Sequence, residues 1–172
     1  MIPAAITAAA DALVKAEKTG VQCALISLAN PDMTLDDAYA VQAAFVELKR
    51  QSGLTQIGWK IGLTSRAMQQ ALNITTPDSG ILLDNMLFQT SEHVPAGRFI
   101  EPRIEAEIAF VMRSDLSGAN VTRNDVITAT DYVAPSLEIL DTRILRADPE
   151  TGKARIIFDT VSDNAANAGI VL

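Results

Sequence analysis

The chain has 172 residues, 48% hydrophobic and 20% charged, so it can bury a core of ordinary single-domain size and is not a disordered segment. Its net charge is −7, and its 14 basic residues are scattered among 21 acidic ones with no run longer than the pair Lys49-Arg50, which argues against a nucleic-acid or anionic-membrane surface. Cys23 is the only cysteine and His93 the only histidine; an internal disulfide is excluded, a reducing cytoplasm is the simpler home, and any bound metal must be held mainly by oxygen, which favours magnesium, manganese or calcium over zinc.

The alanine-rich stretch Met1–Leu13 lacks a basic lead-in and runs into Lys15, Glu17 and Lys18, unlike a targeting segment. No apolar run approaches membrane-spanning length, so the chain reads as a soluble cytoplasmic protein. Residues 3–18 place Ile6, Ala10, Leu13 and Ala16 at helical spacing, with Gly20 as the stop. A short apolar link at 24–28 and the turn Asn30-Pro31-Asp32 follow. A second helix starts at Thr34, which can cap it. Asp36 and Asp37 suit the positive end of its dipole, and Leu35, Ala38, Val41, Phe45 and Leu48 form its apolar face up to Gly53.

From Gln56 the texture changes to short apolar segments separated by Gly, Pro and Asp. Strands are predicted over 57–63, 80–83, 99–112, 136–140, 156–158 and 169–172, with short helices over 65–72 and 123–129. Thr122 and Asp125 are spaced as a capping pair for the second of these. The expectation is an α+β fold, with a helical N-terminal region at 1–55 and a β-rich region at 56–172. The chain stops inside the last predicted strand, so the sequence is expected to be incomplete.

The predicted strand Arg103–Met112 alternates. Ile104, Ala106, Ile108, Phe110 and Met112 share one face; Glu105 and Glu107 share the other, followed by Ala109 and Val111. Two carboxylates side by side on a face that turns apolar again repel unless a cation lies between them; an ordinary solvated edge face is the alternative. Glu138 sits in Leu137-Glu138-Ile139-Leu140. A carboxylate in so apolar a setting must be protonated, paired, with Arg143 as the nearest partner, or bound to a metal. Three carboxylates are a typical protein contribution to a Mg²⁺ site. Lys60 lies in Gly58-Trp59-Lys60-Ile61-Gly62, where flanking glycines allow close approach. It either snorkels to solvent or sits poorly hydrated, suited to proton transfer or anion binding. Asp78 lies in the turn-like Pro77-Asp78-Ser79-Gly80, and residues 159–169 form either a loop lining a pocket or a plain connection.

Gly58-Trp59-Lys60-Ile61-Gly62-Leu63-Thr64-Ser65, Pro77-Asp78-Ser79-Gly80, the Glu-x-Glu strand from Pro102 to Val111, Ala129-Thr130-Asp131-Tyr132-Val133 leading to Glu138, and the run from Asp159 to Gly169 together resemble the hydratase and decarboxylase branch of the fumarylacetoacetate hydrolase superfamily. The resemblance covers the chain from about residue 10. It implies a helical N-terminal part followed by a mixed β-roll, assembly into homo-oligomers, and a Mg²⁺ (or Mn²⁺) site with Glu105, Glu107 and Glu138 as ligands. Lys60 and Asp78 become the proton-handling pair. The implied substrate is an unsaturated 2-oxo dicarboxylate of aromatic catabolism: a proton leaves C3 and returns at C5, and water adds at C4. Arg66 or Arg103 is a candidate to meet the distal carboxylate, with an ordinary surface arginine as the alternative for either. The alternatives are a decarboxylase of the same branch and a non-catalytic chain that only packs into an oligomer. Two features depart from the family: Ser79 stands where relatives often carry an aromatic residue, and the chain is shorter than family members.

Overall fold

The computed structural model describes residues 1–71 and 74–172. Helix α1 (Pro3–Thr19) buries Ala9, Ala10, Leu13 and Ala16 and ends at Gly20, whose left-handed backbone (φ 68°) lets its N–H reach the Ala16 carbonyl. The apolar link contains one short helix, α2 (Ile26–Ala29). Helix α3 (Leu35–Gln51) opens with a reciprocal cap, in which Thr34 Oγ1 accepts from the Asp37 N–H and the Asp37 carboxylate accepts from the Thr34 N–H.

Strand β1 (Gln56–Gly62) pairs antiparallel with β2 (Asp78–Leu83). Between them lies α4 (Arg66–Ala71); Leu72, the last residue of the helix predicted there, lies outside the described residues. A second, mixed sheet has the order β3-β6-β5-β4, built from β3 (Leu87–Phe88), β4 (Arg103–Met112), β5 (Thr130–Leu140) and β6 (Asn167–Val171). Helix α5 (Arg123–Ala129) precedes β5 and carries the Thr122–Asp125 cap. No helix among the described residues is long and apolar enough to cross a membrane.

One core joins α1 and α3 to β2, Met86, Ile144 and Val161, so the helical start of the chain and its strand-bearing remainder bury the same apolar surface. The predicted strand 156–158 is instead the entry to helix α6 (Ile157–Ser162). The Asp159 carboxylate accepts the Ile156 N–H at 3.0 Å and the Ser27 N–H at 2.8 Å, which starts a helical turn where a short apolar run alone is ambiguous. Predicted strand 99–112 begins only at Arg103, because the N–H groups of Ile100 and Glu101 are taken by the Asp141 carboxylate.

The sidedness of β4 also departs from expectation. Glu105 and Glu107 stand exposed rather than on a partly buried face, and Ile104, Ile108 and Phe110 on the opposite face are 60%, 65% and 58% exposed. The strand lies at the sheet edge and packs chiefly on β5, so neither of its faces is covered by a second layer among the described residues.

Candidate metal centre

Antiparallel pairing of β4 and β5 puts Glu105 directly opposite Glu138 and Glu107 opposite Ser136. With side chains alternating along each strand, Glu105, Glu107, Ser136 and Glu138 all project from one face. One carboxylate oxygen from each of the three glutamates lies within 4.8 Å of the others. Glu138 is buried, whereas its two partners are exposed. Among the described residues its Oε1 has no hydrogen-bond partner, and neither does the buried Ser136 hydroxyl.

Glu138 is not paired with Arg143. That guanidinium is engaged elsewhere, by Asp163 and by Glu17 Oε2 at 3.8 Å. The cation beside Glu138 is Lys60, whose Nζ lies 3.7 Å from Glu138 Oε1 and 4.0 Å from Asp78 Oδ1. Burial drives the Glu138 carboxyl up to about 7, Lys60 opposes the rise, and Glu105, Glu107 and Asp78 add to it. A hard cation among the three glutamates would remove the repulsion and give Glu138 Oε1 a partner, so the donor set fits a divalent ion.

Strand β1 turns Lys60 towards this cluster and its apolar neighbours outwards: Ile57, Trp59 and Ile61 are exposed, while the Lys60 side chain is 13% exposed. Lys60 therefore does not snorkel. Gly62 makes the room, since a Cβ there would fall 2.8 Å from Lys60 Nζ and collide with Asp78 Oδ1. Gly58, the other flanking glycine, meets only an ordinary contact with Leu82. Asp78 is the first residue of β2 rather than a turn former; it is buried, and its Oδ1 has no hydrogen-bond partner among the described residues. Arg103 lies on the Glu105–Glu107 face at the start of β4. Arg66 starts α4 and is exposed; nothing ties it to the cluster.

Two contributors were missed from sequence. Ser136 could have been found by counting back two residues along the strand from Glu138. The other is the turn at 164–166, where Asn164, Ala165 and Ala166 all have positive φ (55°, 53° and 57°), at a cost on the order of 1 kcal/mol or more for each non-glycine residue. It delivers the Ala165 carbonyl to Lys60 Nζ at 2.9 Å. The run 159–169 is therefore not a mere connection: it holds the end of α6, this turn, which reaches Lys60, and the start of β6.

No family model matches the chain. It is 52% identical over 166 residues to the 2-oxo-hept-4-ene-1,7-dioate hydratase of Escherichia coli, covering 96% of this chain and 62% of the relative. It is 38% identical over 172 residues to the 2-keto-4-pentenoate hydratase of Paraburkholderia xenovorans (strain LB400), covering 100% of this chain and 62% of the relative. The solved structure of 4-oxalocrotonate decarboxylase from Pseudomonas putida G7, complexed with magnesium and adipate, superposes with a TM-score of 0.88 at 30% identity, covering 99% of this chain and 63% of that one. The same enzyme complexed with calcium and acetate gives 0.87 at 32% identity, covering 99% of this chain and 62% of that one. The chain thus spans about 62% of the length of the curated relatives named here. Over that span it belongs to the hydratase and decarboxylase branch of the fumarylacetoacetate hydrolase superfamily.

Proposed function

We propose that this chain carries the metal-binding and proton-handling part of a hydratase acting on an unsaturated 2-oxo dicarboxylate, 2-oxo-hept-4-ene-1,7-dioate. The observation that carries the reading is the convergence of Glu105, Glu107 and Glu138 beside the Lys60–Asp78 pair. The named relatives support the substrate class.

Glu105, Glu107 and Glu138 would hold Mg²⁺ or Mn²⁺, ions suited to an all-oxygen donor set. When bound, the divalent ion supplies Lewis-acid polarisation of the 2-oxo acid. Lys60 and Asp78 move the proton between C3 and C5 of the substrate, Asp78 through an oxygen that has no other partner and Lys60 through an ammonium steadied by Ala165. Water adds at C4. Arg103, on the carboxylate-bearing face of β4, is better placed than Arg66 to meet the distal carboxylate.

The mixed β-roll of the family is the architecture we assign to the whole enzyme. A homo-oligomer is supported by the exposed apolar face of Ile104, Ile108, Phe110, Val133 and Leu137, and sedimentation measures its size. A cytoplasmic role in aromatic catabolism, in homoprotocatechuate degradation, rests on the lone thiol of Cys23 and the names of the relatives.

One assay separates the readings. The purified chain is incubated with Mg²⁺ and the dienoate substrate. Loss of the dienoate chromophore without CO₂ release supports the hydratase. Release of CO₂ supports a decarboxylase, the second reading, favoured by the likeness to 4-oxalocrotonate decarboxylase. Neither signal leaves a chain that only packs into an oligomer.

A further inference from the structure

Among the described residues, Lys60 Nζ donates to one hydrogen-bond acceptor, the main-chain carbonyl of Ala165 at 2.9 Å. Asp78 and Glu138, its neighbours at 4.0 and 3.7 Å, lie beyond hydrogen-bond distance. The direction of the ammonium is therefore set by where the left-handed turn puts that carbonyl.

The turn is held at both ends. At its far end the Asp141 N–H donates to the Ala166 carbonyl at 2.9 Å, and Asn167 Nδ2 donates to the Ile81 carbonyl at 2.9 Å, an acceptor it shares with Asn164. At its near end Asn164 acts as a clamp. Its Oδ1 accepts the Ile81 N–H at 2.7 Å, and its Nδ2 donates to the Ile81 carbonyl at 2.9 Å. A side-chain amide thus takes both main-chain polar groups of one residue of β2, as a neighbouring strand would. Asn164 is fully buried, so water cannot replace either bond. The seat requires Gly80, where a Cβ would come within 2.5 Å of the Asn164 carbonyl oxygen. Three consecutive positive-φ residues do not hold such a shape unaided.

We propose that Asn164 is a positioning residue for Lys60: its amide clamps the turn 164–166 onto β2, so that the Ala165 carbonyl holds the Lys60 ammonium between Asp78 and Glu138. The proposal deepens the hydratase reading and rests on it for the role of Lys60.

The test reads the ammonium itself in the metal-free chain by ¹H–¹⁵N NMR of the lysine NH₃⁺ groups, with the Lys60 signal assigned by its loss in Lys60→Gln. Lys49, paired with Glu17 at 2.7 Å, is the internal control. In the wild type, Lys60 should exchange its ammonium protons about tenfold more slowly than exposed Lys15 and Lys18. Asn164→Ala should abolish that protection and leave Lys49 protected. In the turnover assay the same variant should lower kcat by about tenfold to a hundredfold with KM nearly unchanged, and the isosteric Asn164→Asp should fall between it and the wild type. Should Asn164→Ala not fold, Asn164→Asp decides, since it keeps the acceptor for the Ile81 N–H. A folded variant with Lys60 still protected overturns the proposal, and so does a wild-type Lys60 that exchanges like a surface lysine. If the exchange results hold but Lys60→Gln keeps normal turnover, the clamp stands and the catalytic role of Lys60 falls.

Discussion

Glu105 and Glu138 face each other in register across the antiparallel β4–β5 pair. Like charges directly opposite on one face destabilise a sheet, and Glu107 adds a third to the same patch. Such an arrangement reads as a site built for a cation rather than as part of the fold's own stability.

Glu107→Gln tests this at the least structural cost, because Glu107 is exposed. The variant should lose binding of Mg²⁺ and Mn²⁺ in calorimetric titration and lose turnover. Its thermal midpoint without metal should stay within a few degrees of the wild type, since exposed substitutions away from special features usually change stability by about 0.5 kcal/mol or less. Near-normal turnover would sink the ligand assignment.

Glu138→Gln should act in opposite senses on binding and stability. The Glu138 carboxyl is raised from 4.5 to about 7, so the folded, metal-free protein prefers it protonated. A raised pKa contributes stability that is fully present below pH 4.5 and is lost as pH rises through about 7. Metal-free wild type should therefore be less stable at pH 8 than at pH 5 by about 1–3 kcal/mol from this group. Glu138→Gln should remove that loss and also abolish metal binding. Urea denaturation at the two pH values, with chelator present, measures it.

What could be read from the sequence was local. Helix α5 has its predicted bounds, and both Thr–x–x–Asp caps form, because a cap depends on residues three apart. Glu105 and Glu107 were recognisable as a pair for the same reason. That both faces of β4 stand exposed was not legible, since burial depends on what packs over a strand and, among the described residues, edge β4 has no covering layer. The 156–158 segment failed because three apolar residues fit either period. The run 159–169 could be read as a possible pocket lining, but the shape of its 164–166 turn could not: nothing local requires two alanines to adopt positive φ, and the Asn164 contacts that hold it come from β2, more than 80 residues away in sequence.

Gly62→Ala should injure the proton-handling pair without replacing a charged group. The new methyl carbon would fall 2.8 Å from Lys60 Nζ and collide with Asp78 Oδ1, forcing the two apart. Turnover should fall by about a hundredfold, while Mg²⁺ affinity, which depends on β4 and β5, should stay near that of the wild type. Gly58→Ala, with only an ordinary contact to Leu82 at 3.6 Å, serves as the control and should retain activity.

Cys23 should resist alkylation. Burial and the nearby Asp163 push its thiol from 9.0 up to about 11. The thiolate is the reacting form, so at pH 8 the rate with iodoacetamide should be about a hundredfold below that of an ordinary exposed thiol. It should rise with pH well past 9. A rate matching free cysteine at pH 8 would contradict the burial seen here.

The last expectation concerns the buried ion cluster behind the turn. Arg143 is 2% exposed, and its Nε pairs with Asp163. Its Nη2 donates to the Asp163 carbonyl at 2.9 Å and the Asn167 carbonyl at 3.2 Å, and its guanidinium stacks 5.5 Å from the centroid of the Phe45 ring. It thus ties α3 to the segment on either side of Asn164. Arg143→Met should cost about 3–5 kcal/mol, because it leaves Asp163 buried without its cation. The double variant Arg143→Met with Asp163→Leu should cost less than Arg143→Met alone, since no uncompensated charge remains. Urea titration of the wild type, Arg143→Met, Asp163→Leu and the double variant gives the coupling energy directly. If the double variant is as unstable as the sum of its parts, the pair is not acting as one unit, and the 164–166 turn is supported instead by the Asn164 clamp, the Asn167 Nδ2–Ile81 carbonyl bond and the Asp141–Ala166 bond.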